Sequence, residues 1–115
     1  MPGAAPTAIL AAVPAEPSIL EQAVTLEKQS VRFAMLTVTA TKGSTPRKAG
    51  AKMLVCADGT TYGTVGGGRF EHEMMAEARE ALHSGAPRLV DRHLTHELAM
   101  CCGGEMQVFI EPIAR

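Results

Sequence analysis

The apolar positions fall first into a helical period and then into alternation. Ser18 stands as an N-cap before a helix over about 18–29, in which Ile19, Ala23 and Leu26, joined by Leu20 and Val24, form one apolar stripe. Residues 31–41 (VRFAMLTVTAT) are apolar on both alternating faces, which predicts a central strand covered on both sides. Residues 51–57 and 60–65 read as two strands joined by a tight Ala57-Asp58-Gly59 turn. From 69 onward Phe70, Met74, Ala78, Ala81 and Leu82 recur at helical spacing until Gly85, and Pro87 follows. Residues 88–94 form another strand, and 95–104 read as a loop. In 105–111 Met106, Val108 and Ile110 alternate with Gln107, Phe109 and Glu111. The sum is an α+β domain: a mixed sheet of about five strands with two main helices packed on it, strand order undetermined.

Before that domain, residues 1–17 carry Pro2, Pro6, Pro14 and Pro17 in an alanine-rich background, and each proline disfavours helix in the residue before it. We read 1–17 as a flexible arm and 18–115 as one domain, the number of domains that 115 residues favour. The net charge of −1 and the 3% aromatic content lack the basic excess and stacking platforms of a nucleic-acid binder. No apolar run is long enough to span a bilayer, and MPGAAPTAIL lacks the basic region and apolar core of a secretory signal, so a cytoplasmic protein without a membrane partner is expected. Three cysteines, two of them adjacent, do not make a disulfide framework. Cys56 reads as a small buried hydrophobe.

Three segments could carry chemistry. In Gly43–Gly50 the bases Lys42, Arg47, Lys48 and Lys52 meet no acid across 41–52, and Ser44 and Thr45 add hydroxyls, a composition suited to an oxyanion such as phosphate. An ordinary solvated basic loop has the same composition. Gly66-Gly67-Gly68 leads from a strand into a helix, so its N–H groups could cradle an anion. Glu71 and Glu73 in the first helical turn would compete with that anion, and a sharp turn with acidic capping fits equally well. The acids Glu71, Glu73, Glu77 and Glu80, broken by Arg69 and Arg79, otherwise read as a solvated helix face. In His93–Gly104 a thiol beside two glycines could be reactive. Zinc held by His93, His96, Cys101 and Cys102 is disfavoured because adjacent cysteines fit one tetrahedral ion poorly.

Taken in order, TKGSTPRKAGAKMLV, ADGTTYGTVGGGRFEHE and LTHELAMCCGGEMQVFIEP resemble the XdhC/CoxI family of accessory factors for molybdenum hydroxylases such as xanthine dehydrogenase. The resemblance runs from about 18 to 113. It implies a non-enzymatic maturation chaperone that binds the molybdenum cofactor, a molybdopterin with or without a nucleotide extension. Such a protein shelters the cofactor, supports its sulfuration with a cysteine desulfurase and delivers it to the apo-enzyme. Carried over by position, Ser44, Pro46, Arg47 and Gly50 match the family's first loop, Gly66, Gly67, Gly68 and Glu71 its glycine turn, and Cys102, Gly103 and Gly104 its cysteine-glycine-glycine segment. On this reading Arg47 and Lys48 grip phosphate, the glycine turn is a backbone cradle and Cys102 is a sulfur-side contact. Arg69 stands where many relatives have cysteine, which points to phosphate or the partner enzyme rather than to thiol ligation. The chain lacks the dinucleotide-binding-like domain into which family members typically continue. That favours a separate second chain or self-association, and leaves as the rival function a scaffold for a hydroxylase or for such a domain.

Overall fold

The computed structural model describes residues 16–94 and 103–114. Helix α1 (Ile19–Lys28) starts on a reciprocal cap: Ser18 Oγ accepts from Glu21 N at 3.1 Å, and Ser18 N donates to the Glu21 carboxylate at 2.8 Å. Strands β1 (Phe33–Lys42), β2 (Lys52–Cys56) and β3 (Thr61–Gly63) follow, then helix α2 (Gly68–Ser84), β4 (Arg88–His93) and β5 (Glu105–Ile113). Gly85 ends α2 in the left-handed conformation, its N–H donating to Ala81 O. The β2–β3 turn is closed by Thr60 N donating to Asp58 Oδ1 at 2.9 Å. Hydrogen bonds from Thr60 hold the exposed Asp58 carboxyl below its usual range.

The five strands form one sheet in the order β3-β2-β1-β5-β4, with β1 at its centre as its two-sided apolar pattern requires. The class, the five strands and the two helices are those expected. The expected mixed sheet is corrected: every pairing is antiparallel. Parallel neighbours need a crossover between them, and here the strands that pair are antiparallel on both sides of β1.

The helices lie on opposite faces. Ala34, Leu36 and Val38 of β1 join Phe70, Met74 and Ala78 of α2 in the larger core, while Phe33 joins Leu54, Cys56 and the α1 residues Ala23 and Leu26 in the smaller one. Burial pushes the Cys56 thiol up, with Asp58 nearby adding to the effect, consistent with a thiol that serves as packing. Among the described residues no helix is long and apolar enough to cross a membrane.

Two sequence readings change. Leu20 and Val24 do not join the buried stripe of α1 and stay 57% and 48% exposed. The helix rests mainly on β2 and β3, with Phe33 of β1 at its edge, too narrow a seat for a wider stripe. Of the acids of α2, Glu80 is exposed as expected, but Glu73 and Glu77 are not simply solvated. Glu73 and Glu77 pair with Arg92 at 3.0 Å each, and Glu77 with Arg88 at 2.6 Å, tying α2 to the edge strand β4.

Candidate functional site

The three sequence segments meet at one end of the sheet. β1 runs past β2 into the Gly43–Gly50 loop, which returns to the strand where Gly50 N donates to Val38 O at 2.7 Å and Val38 N to Ala51 O at 2.9 Å. Thr45 Oγ1 donates to Arg47 O at 2.9 Å and tightens the bend. Against this loop sits the glycine turn. A Cβ on Gly66 would come within 2.6 Å of Pro46 Cγ, so the loop and the turn are in contact only because that side chain is missing. The third segment closes in from β5. Gly104 is buried, and a Cβ there would strike Ser44 O, reach 2.5 Å from Lys42 O and 2.8 Å from Thr45 Cγ2. Leu94 fixes its position by donating to Gly104 O at 2.7 Å and accepting from Gly103 N at 3.0 Å.

At the rim of this corner Ser44, Arg47 and Lys48 are exposed, and Pro46, Arg47, Lys48, Ala49 and Ala51 line an open depression of about 380 Å³. The chain thus presents two cations and a hydroxyl at a glycine-walled edge, the donor set that grips oxyanions.

The glycine turn is occupied differently from the cradle envisaged for it. Glu71 reaches back from the first turn of α2, and one carboxylate oxygen accepts from Val65 N at 3.0 Å, Gly67 N at 3.1 Å and the Thr64 hydroxyl. Gly66 N donates to Thr64 Oγ1 at 3.0 Å. The N–H groups of 65, 66 and 67 are therefore satisfied from within the chain, and the capping alternative describes this turn. Thr64 was missed in the sequence, although a threonine two residues before a glycine is a known local hydrogen-bonding signal.

Arg69 and Gly68 lie exposed at the start of α2, and Gly103 lies exposed beside Gly104. Cys102, Cys101 and His96 fall outside the described residues. His93 stands 3.4 Å from the Glu105 carboxylate, a cross-strand pair between β4 and β5.

A model of the XdhC and CoxI family matches residues 26–92, more than half of the chain and across both the basic loop and the glycine turn. The chain belongs to the XdhC and CoxI family. Among relatives, the uncharacterized protein YqeB of Escherichia coli (strain K12) is 41% identical over 97 residues, covering 81% of this chain and 18% of that protein. A crystal structure of a xanthine dehydrogenase from Bacillus halodurans superposes with a TM-score of 0.73 at 31% identity, over 84% of this chain and 30% of the other. The XdhC/CoxI domain described here thus spans under a third of each of these relatives.

Proposed function

We propose that this XdhC/CoxI domain binds the molybdenum cofactor as a maturation chaperone for a xanthine dehydrogenase-type apo-enzyme. The observation that carries the reading is the convergence of three distant segments, through contacts that only Gly66 and Gly104 permit, on a corner edged by Arg47 and Lys48. The donor set fits the phosphate-bearing arm of a pterin: guanidinium and ammonium for the oxygens, the Ser44 hydroxyl beside them, and open space where a Cβ on Gly67 or Gly103 would stand. Arg47 and Lys48 would hold the phosphate, and Arg69 could extend the basic rim. Glu71 shapes the turn and fills its N–H groups, so Gly66, Gly67 and Gly68 contribute close approach more than donors. Cys102, directly before Gly103, is the proposed sulfur-side contact. When bound, the cofactor supplies the molybdenum centre that a hydroxylase needs. The domain's own part is to hold and shelter it, while a cysteine desulfurase performs the sulfuration.

The test is anaerobic mixing of the chain with freshly released cofactor, then gel filtration with molybdenum and pterin measured in the protein peak. Stoichiometric co-elution in the wild type and loss of it in Arg47→Ala and Lys48→Ala, at unchanged thermal stability, is the expected result. Absence of retention would overturn it and favour the rival reading, a scaffold for the hydroxylase or for a separate dinucleotide-binding-like domain.

A further inference from the structure

We infer that the outward face of α2 is a docking surface for an acidic helix of a partner protein. Most acids of α2 are spent elsewhere. Glu71 fills the glycine turn, and Glu73 and Glu77 are held by Arg88 and Arg92 of β4. What remains on the side away from the core is Arg69, His72, Ala76, Arg79 and His83, all exposed. Glu80 continues the flank of Glu73 and Glu77 at the edge of this face. The five positions follow one another at spacings of three, four, three and four, so they share one stripe opposite the buried Phe70, Met74, Ala78 and Ala81. From 69 to 83 the stripe is about 21 Å long. Two guanidiniums and two imidazoles lie along it, and the short side chain of Ala76 leaves its middle low.

The far end of the stripe has a shaped anchor. Arg79 and His83, one turn apart, line a pocket of about 200 Å³ with Arg32, Ala57 and Leu82. Arg32 precedes β1 and donates to Leu82 O, which fixes its guanidinium across the last turn of α2 and satisfies a carbonyl of the helix end. Neither Arg79 nor His83 has a hydrogen bond or an ion pair among the described residues. Three nitrogen-bearing side chains thus line the pocket with no carboxylate in its wall, a setting that suits a carboxylate brought from outside.

An acidic helix meets both features. Acids at the same spacing rise along a partner helix in step with this stripe, because the two helices share one pitch. One carboxylate enters the pocket while others meet His72 and Arg69. Imidazole serves here in either protonation state, since the neutral ring still carries one N–H. Duplex nucleic acid fits less well. Its binding typically uses roughly six to ten phosphate contacts, more than two arginines and two histidines supply, and the chain's net charge of −1 adds no wider field. The stripe is polar, so the pairing is weak and salt-dependent. The anchor lies at the end of α2 away from the glycine turn, so docking here is independent of whether the corner holds the cofactor.

Fluorescence anisotropy of a labelled alanine-rich helical peptide about 15 residues long, with glutamates at three-four spacing on one face, reads this on the whole chain. The peptide is expected to bind at low salt and to be released at high salt. A peptide of the same composition with its glutamates spread round the helix should bind about fivefold more weakly. Arg79→Glu should weaken binding of the striped peptide about tenfold, because a repulsion replaces an attraction, and should leave the circular dichroism spectrum unchanged, because Arg79 is exposed. Lys28→Glu, an equal change of charge on α1 across the sheet, should leave the affinity unchanged. Absence of binding overturns the inference. So do equal affinities for the two peptides, an affinity that Arg79→Glu leaves intact or that Lys28→Glu lowers equally, and tighter binding of a short DNA duplex than of the striped peptide, because a diffuse or nucleic-acid-directed field would then be responsible.

Discussion

Replacing Glu71 by alanine tests whether the glycine turn is built around that carboxylate. The substitution removes one oxygen that serves three donors: Val65 N, Gly67 N and the Thr64 hydroxyl. Val65 is fully buried, so its N–H loses its partner with no water to replace it, at about 1–3 kcal/mol. The Gly67 N–H is only half-buried and adds about 1 kcal/mol, the Thr64 hydroxyl can turn elsewhere, and loss of an acid from the first helical turn adds about 0.5 kcal/mol. The sum is about 2.5–4.5 kcal/mol, a large share of the roughly 5–15 kcal/mol by which such domains are stable. For a chain of this size that lowers the melting temperature by about 15 °C, measurable by circular dichroism. Glu71→Gln keeps a neutral acceptor and should cost about 1 kcal/mol. Opening the turn also exposes N–H groups to free anions, so phosphate should raise the melting temperature of Glu71→Ala more than that of the wild type. A shift below about 3 °C for Glu71→Ala would refute the reasoning, since no buried N–H would then have lost its partner.

Other outcomes follow from the same geometry. Gly104→Ala forces a Cβ against the Ser44 and Lys42 carbonyls and should cost more than about 3 kcal/mol in urea unfolding, whereas Gly67→Ala meets open space and should cost only the roughly 1–3 kcal/mol of a backbone conformation that glycine alone adopts readily. Cys56 should resist alkylation in the folded chain and react on unfolding, because it is buried. Its thiol pKa is raised by folding, so the stability it contributes is present below the unfolded value of about 8.5 and is lost as pH rises through the folded one. A melting-temperature profile above about pH 8.5 should accordingly fall in the wild type and flatten in Cys56→Ala.

What could be read from the chain was local. The Asp58-Gly59 turn, the cap at Ser18 and the stop at Gly85 each announce themselves within a few residues, and the two-sided pattern of β1 gave away its central place. The basic loop, the glycine turn and Gly103-Gly104 were each visible as segments. Their meeting was not, because it depends on β5 pairing with β1 across more than sixty residues, which no short-range pattern encodes. The α2 acids were misread for the same reason: Glu73 and Glu77 look solvated until β4 brings Arg88 and Arg92 beneath them. Leu20 and Val24 fitted a helical stripe on periodicity alone, but periodicity does not report the width of the surface a helix rests on.

The central strand also sets where this domain can change length. Alternate residues of β1 belong to different cores, so one residue inserted before Val38 would hand Phe33 to α2 and Ala34 and Leu36 to α1, spoiling both interiors together. Past Val38 the strand already carries an extra residue, the bulge at Thr39, where the pairing with β5 steps from Val38–Val108 to Ala40–Gln107. Insertions and deletions should therefore be absorbed between this bulge and Gly50, leaving the half of β1 that both helices grip at constant length.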